Sequence, residues 1–117
     1  IAARFQAFGE QVLRELPLSR IFFVSINLAP QKRARWDAIT TVNRLVARLC
    51  EDSPALGYID VNAALLDAHG QPRTDFYQED GLHVRPAAYQ AFSDIIKPVL
   101  LEAWHTIPAS TPAAKAR

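Results

Sequence analysis

The sequence predicts an α/β domain built on a parallel sheet, with helices packed against both faces of that sheet. Two short apolar segments rich in β-branched and aromatic residues alternate with three segments whose apolar residues recur at helical spacing. The order along the chain is helix, strand, helix, strand, loop, helix. Because parallel strands need a long crossover connection that a helix usually supplies, this alternation favours a parallel sheet with right-handed crossovers.

The first three elements follow from apolar spacing. Residues 1–16 predict a helix with one apolar stripe, and Pro17 ends it. The strand predicted next, 20–26, is almost continuously apolar, which is typical of a strand buried on both faces. A turn at 27–30 and the basic stretch 32–35 then lead into a second helix. The stripes of the two helices are Ile1, Phe5, Phe8, Val12 and Leu16, and Ile39, Val42, Val46 and Leu49.

The next part of the chain predicts one more strand, a long loop and a final helix. The strand is 58–61, and we expect Asn62 to cap a brief helix that runs to Leu66. Residues 67–85 contain glycine and proline but few periodic apolar residues, so they predict a long loop, and loops of this length are often functional. Pro86 suits the first turn of the final helix, where a missing N–H costs nothing.

The end of the chain sets the predicted domain boundary. Pro98 falls inside the stripe of the final helix and is expected to kink or split it. Residues 106–117 hold two prolines and four alanines without a core-forming pattern, so they predict a disordered tail. The predicted α/β domain therefore spans residues 1–105.

Two strands are too few for a stable open sheet, because three or more are usually needed for independent stability. Either the chain dimerises through the edge of its sheet, or it is the C-terminal part of a larger α/β domain. The second explanation is favoured, because the chain opens directly on an amphipathic helix without a starting methionine. The compartment stays open, since any N-terminal targeting signal would then precede these residues.

Composition excludes several classes of function. The 117 residues carry a formal net charge of +1, which is not the basic excess of a nucleic-acid-binding protein. One cysteine, Cys50, excludes an internal disulfide and a zinc site with several cysteines. No apolar run approaches the roughly 18 residues of a membrane-spanning helix. His69, His83 and Asp80 all come from one loop without the spacing of metal ligands, so no metal is expected.

The strongest chemical signal is Asp80-Gly-Leu-His83, in the loop that borders the carboxyl edge of the predicted sheet. Glycine between the two residues permits a left-handed turn that brings carboxylate and imidazole together. A carboxylate on one ring nitrogen fixes the tautomer and leaves the other nitrogen as a base for a hydroxyl nucleophile. The same spacing is also common in simple turn and cap contacts.

The segments quoted next resemble the C-terminal half of an SGNH hydrolase, a member of the GDSL lipase and esterase superfamily, over about residues 1–105. The most specific of them is the Asp-Gly-Leu-His block followed by proline and tyrosine. The segments are Phe23-Val-Ser-Ile-Asn-Leu-Ala-Pro30, Arg35-Trp36, Asn43 and Asp80-Gly-Leu-His-Val-Arg-Pro-Ala-Ala-Tyr89.

The resemblance implies a flavodoxin-like three-layer α/β/α sandwich, present here as an incomplete part, and hydrolysis of a small-molecule ester such as a lipid or an acylated carbohydrate. By position, His83 matches the general base and Asp80 the residue that orients it. No cofactor is implied. Phe76 and Tyr77 are expected to help form the wall of an acyl or alcohol pocket.

The chain departs from the family in lacking the Gly-Asp-Ser nucleophile block and the glycine and Gly-x-Asn-Asp blocks that supply oxyanion-hole donors. We therefore expect the chain alone to be inactive. The alternative is a non-catalytic α/β module that binds a partner or itself through its sheet edge.

Four further residues have structural expectations. Ser25 is expected to be a hydrogen-bonded hydroxyl inside a strand, and Asn43 to hydrogen-bond a loop backbone. Trp36 either lines a substrate cleft or packs on the sheet. Cys50 is expected to be a small buried apolar side chain.

Overall fold

The computed structural model describes residues 1–107 and contains four α-helices and a two-stranded sheet. Short 3₁₀ helices at Pro30–Arg35 and Thr74–Phe76 lie in the connections. The elements are α1 (Ala2–Glu15), β1 (Ile21–Val24), α2 (Trp36–Glu51), β2 (Leu56–Ile59), α3 (Asn62–Leu65) and α4 (Pro86–Thr106). The chain therefore forms the mixed α/β fold that the sequence predicts.

The two strands pair in parallel, as predicted, with Ile21 opposite Leu56 and Val24 opposite Ile59. Both strands end two residues earlier than predicted, because side chains bind the backbone beyond them. The Ser25 hydroxyl accepts the Val61 N–H at 2.9 Å in place of a ladder bond. β1 is half-buried and Val24 is exposed, so the expected burial on both faces is absent in this two-stranded sheet.

Helices α1 and α2 lie together on one face of the sheet. The Phe5 ring of α1 packs edge-on against Phe23 of β1, with ring centroids 5.1 Å apart, and Phe23 stacks on Tyr58 of β2. Gly9 brings the α1 backbone close to the sheet, since a Cβ there would lie 3.4 Å from Leu56 Cδ2. α1 and α2 contact each other, and α2 contacts β2.

A small core lies beneath the long loop and α4. Its fully or nearly buried side chains come from five separate segments, and partly buried side chains from the loop and α4 complete it. The buried members are Ala29, Leu65, Phe76, Tyr77 and Ala88. Residues 67–85 are therefore an anchored loop, pinned by isolated bridges between Leu66 and Pro72 and between Tyr77 and Val84.

α4 contacts β2 and α3 and is assigned as one helix through Pro98, so the proline does not split it. The helix ends at Thr106, whose hydroxyl donates to the Ala103 carbonyl. The predicted tail thus begins one residue before the end of α4, and 108–117 lie outside the described residues. None of the helices within residues 1–107 is long and apolar enough to cross a bilayer.

Candidate active site

A tight turn over residues 78–83 brings Asp80 and His83 together. Gly81 adopts φ +66°, the left-handed conformation that the sequence anticipates for it. Asp80 Oδ1 accepts the N–H groups of Leu82 and His83, at 2.9 and 3.0 Å. The His83 carbonyl in turn accepts the Gln78 N–H at 2.8 Å, which closes the turn. The carboxylate is therefore fixed by the backbone before it touches the imidazole.

The second carboxylate oxygen, Asp80 Oδ2, lies 2.5 Å from His83 Nδ1. An ionised carboxylate only accepts, so Nδ1 must carry the proton and Nε2 keeps its lone pair in the neutral ring. The hydrogen bond from His83, followed by those from the two backbone N–H groups, lowers the pKa of Asp80 from 3.8 to about 2. The His83 side chain is 70% exposed, so its Nε2 lies where a partner group can reach it.

The turn is anchored to the core on one side. Leu82 and Val84 pack against the buried cluster around Phe76 and Tyr77. The Arg85 N–H donates to the Phe76 carbonyl at 2.8 Å, and Arg85 Nε donates to the Tyr77 carbonyl at 2.7 Å. These two bonds hold the residues after His83 against the strand-like segment before Gln78. The sequence analysis missed Arg85, whose only signal was its position directly before the helix-starting proline.

The turn is also fastened to the loop that follows β1. The Gln31 N–H donates to the Gly81 carbonyl at 3.0 Å. A Cβ at Gly81 would lie 3.4 Å from Gln31 N and from Pro30 Cβ, so glycine permits the close approach of the two loops. The Asp80–His83 pair therefore lies at the carboxyl edge of the sheet, where ligands bind in open α/β sheets.

Two buried asparagines hold the loop after β1 in place. Asn43 on α2 accepts the Ile26 N–H and donates to the Ile26 carbonyl, both at 2.9 Å, so the predicted contact with a loop backbone is confirmed. Asn62 accepts the Leu28 N–H at 2.9 Å and donates to the Ile26 carbonyl at 3.0 Å. We refer to Asn43 and Asn62 as the asparagine clamp.

The predicted capping role of Asn62 is wrong. α3 begins at Asn62 itself, with Val61 at the cap position, and no side chain caps the helix. The Asn62 side chain reaches instead to a loop 34 residues earlier in the chain. Capping is a local contact that spacing can suggest, whereas this contact depends on the two strand ends lying side by side.

The remaining predicted residues have structural surroundings. Ser25 is buried, accepts from the Val61 N–H and donates to Asp60 Oδ1 at 3.3 Å, which confirms its hydrogen-bonded role. Trp36 Nε1 donates to the Ala29 carbonyl at 2.9 Å. The Cys50 thiol is buried, and this burial raises its pKa. His69 is exposed, and residues 1–107 hold no cluster of three metal-ligating side chains.

The expected pocket wall is absent at Phe76 and Tyr77. These side chains are 7% and 3% exposed, because both are part of the core beneath the loop. A shallow cavity of about 280 Å³ lies beside Asp80, lined by Gln78, Glu79, Asp80 and Arg85. A larger cavity of about 590 Å³ lies further along the strand ends, between α2 and the start of the long loop, and its lining includes Arg44, Asp60 and Asp67.

No protein-family model and no curated protein matches this chain. Over 85% of its length the chain is similar to a solved structure from Streptococcus pneumonia that is described as "a putative platelet activating factor". The TM-score is 0.73 and the two sequences are 26% identical. The chain spans half the length of that protein.

Proposed function

We propose that these residues form the base-bearing segment of a serine ester hydrolase of the SGNH type, in an α/β/α sandwich of flavodoxin-like topology. The observation that carries the proposal is the Asp80 carboxylate on His83 Nδ1, with the rest of the imidazole exposed. The location of the pair at the carboxyl edge of a parallel sheet supports it. So does the similarity to a protein described as "a putative platelet activating factor", which lends its fold to the proposal.

In this reaction His83 Nε2 accepts the proton of a serine hydroxyl supplied by a segment outside these residues. The serine oxygen attacks the ester carbonyl, and the imidazolium then gives its proton to the departing alcohol, which leaves an acyl-serine. Water is deprotonated by His83 in the second half and releases the acid. Asp80 stays ionised throughout, because its pKa of about 2 lies far below neutrality. Its task is to hold the ring and stabilise the imidazolium.

The chain by itself is expected not to hydrolyse esters. A base without a nucleophile and oxyanion donors keeps little catalytic power, because triad members act as a unit. Release of p-nitrophenol from a short-chain ester by the purified 117-residue chain, abolished by His83→Ala, would contradict this expectation.

The decisive experiment uses the protein together with the residues that its gene encodes ahead of Ile1. Hydrolysis of p-nitrophenyl butyrate is compared between the wild type, His83→Ala, Asp80→Asn and the control His69→Ala. We expect losses on the order of 1,000-fold or more in kcat for the first two variants, because each removes or misdirects the base. His69 is exposed and outside the turn, so its variant should keep full activity. Equal rates in all four proteins would refute the proposal.

A second candidate is a non-catalytic α/β module that binds a partner or a second copy of itself. The observation in its favour is the set of large apolar side chains that stay exposed on the helices, among them Phe8 and Trp104, which are 56% and 72% exposed. An unrelated domain or a stop codon ahead of Ile1 would favour this module, and a Gly-Asp-Ser segment about three strand-helix units earlier would favour the enzyme.

A further inference from the structure

The sheet has an open edge at β1. In a parallel pair, the N–H and C=O groups of alternate residues point to the same neighbour. The Ile21 N–H donates to the Ala55 carbonyl and the Ser25 N–H to the Ile59 carbonyl, so Ile21, Phe23 and Ser25 face β2. Phe22 and Val24 therefore direct their backbone groups away from β2, to a side on which the described residues place no strand.

Helix α1 carries unused apolar surface beside this edge. Residues on a helix are 100° apart, and Phe5 and Gly9 define the side that faces the sheet. Leu13 lies on the side towards α2, because it shares a cavity with Leu49 of α2. The same rotation places Ile1 and Phe8 on the opposite flank, and they are 67% and 56% exposed.

The corresponding flank of α2 differs in character. Leu49 marks the side of α2 that faces α1, so the helical spacing places Thr40, Arg44 and Glu51 on the far flank, beyond β2. All three side chains are polar and exposed. The apolar flank on α1 and the polar flank on α2 therefore distinguish the two edges of the sheet: the β1 edge is the one prepared for burial.

The handedness of crossovers specifies what belongs at this edge. β1, α2 and β2 form one strand-helix-strand unit, and α1 lies on the same face as α2. Parallel crossovers are almost always right-handed. A strand that connects to the amino end of α1 by a crossover of the same hand lies on the side of β1 opposite β2, which is the open edge. The space also fits, because a helix about 10 Å wide covers two strands spaced about 4.8 Å apart.

We propose that the open edge of β1, with the α1 flank formed by Ile1 and Phe8, binds a parallel β-strand that precedes α1 in the folded domain. The strand bonds to the backbones of Phe22 and Val24, and the flank covers it. Its carboxyl end then lies at the same edge of the sheet as His83. The surface stands on its own observations, and only the further step, that this strand leads to the nucleophilic serine, rests on the proposed function.

The test uses hydrogen exchange at single amides in two proteins. One is the 117-residue chain. The other is a chimera in which the half of the Streptococcus pneumonia protein that the chain does not match is fused ahead of Ile1. In the chain, the Phe22 and Val24 amides should exchange freely while the Phe23 amide is protected. In the chimera, both should slow by about 100-fold or more. No added protection in the folded chimera would overturn the proposal.

Matched variants test the flank. Phe8→Glu puts a charge on the proposed surface, whereas Ala7→Glu puts the same charge on the neighbouring exposed residue, which the helical spacing turns towards solvent. Phe8→Glu should reduce the protection of the Phe22 and Val24 amides in the chimera, and Ala7→Glu should not. Equal effects of the two variants would overturn the proposal.

Measurements on the chain alone decide the case if the chimera does not fold. Binding of an apolar dye such as ANS should fall by half or more with Phe8→Glu and stay unchanged with Ala7→Glu. Protection of Phe22 and Val24 that rises with protein concentration, together with a dimer by sedimentation, would make a second copy the occupant and overturn the proposal. Amide protection in a chimera without His83-dependent esterase activity would leave the surface standing and count against the proposed hydrolase.

Discussion

Replacing Asn62 by aspartate tests whether this residue clamps the loop after β1 or caps α3. Aspartate caps a helix about as well as asparagine, so a cap would tolerate the change. In the clamp, Asn62 Nδ2 donates to the Ile26 carbonyl at 3.0 Å, and a carboxylate would place an oxygen against that carbonyl in a residue that is 7% exposed. We therefore expect Asn62→Asp to destabilise the protein at pH 7 at least as much as Asn62→Ala.

The magnitude follows from the bonds lost. Asn62→Ala removes the acceptor of the Leu28 N–H, which costs about 1–3 kcal/mol for a buried donor left without a partner. The bond to the Ile26 carbonyl adds little, because Asn43 still donates to that oxygen. We expect a loss of about 2 kcal/mol in the free energy of unfolding for alanine. For aspartate the deficit should shrink as the pH falls from 7 to about 5, because burial beside a carbonyl raises the pKa of the new carboxyl above its ordinary value of about 3.9.

Urea unfolding followed by circular dichroism measures these differences, with the same substitutions at Asn27 as controls. Asn27 lies in the same loop, between the two residues that the clamp holds, and the clamp bonds involve Ile26 and Leu28 only. Changes at Asn27 should stay within about 0.5 kcal/mol. If Asn62→Asp is as stable as the wild type while Asn62→Ala is not, the residue acts as a cap and the clamp interpretation is incorrect.

Three further predictions concern the turn and the thiol. Carboxyl NMR should show Asp80 titrating near pH 2 instead of 3.8, so its contact with His83 is fully formed above pH 3.8 and is lost as the pH falls through 2; an ordinary titration would contradict the hydrogen bonds assigned to it. Gly81→Ala and Gly70→Ala should each cost about 1 kcal/mol, since both glycines have positive φ. Only the change at Gly81 should also shift the His83 ring resonances, because a Cβ there meets the neighbouring loop; equal shifts from both variants would argue against that contact. Cys50 should react with DTNB at least 100-fold more slowly in the folded protein than in urea, because its thiol is buried and its pKa is raised; equal rates would show that the site opens readily.

The parts of the candidate site that are close in sequence could be predicted from the chain alone. Asp80 and His83 are three residues apart around a glycine, so few backbone conformations separate them, and the structure brings them into contact. Asn43 was predicted in kind, as a side chain that binds a loop, because it borders the apolar stripe of its helix. Its particular partner, Ile26, was not.

The parts that depend on distant segments could not be predicted in this way. Phe76 and Tyr77 lie in the functional loop by sequence, yet they fill the core beneath it, and no spacing rule shows which aromatic residues of a loop turn inwards. The strand ends shifted because the Ser25 hydroxyl and the Asn43 amide took over backbone groups that a ladder would otherwise use.

The sequence by itself determined the order of the elements, the parallel direction of the strands and the carboxylate–imidazole turn. All three depend on periodicity or on contacts within a few residues, where the covalent chain limits the alternatives. Only the tertiary structure decided which groups hold that turn at the edge of the sheet and which strand edge stays open. Those features arise from pairs such as Leu28 and Asn62, 34 residues apart, which meet only once helices and strands have packed.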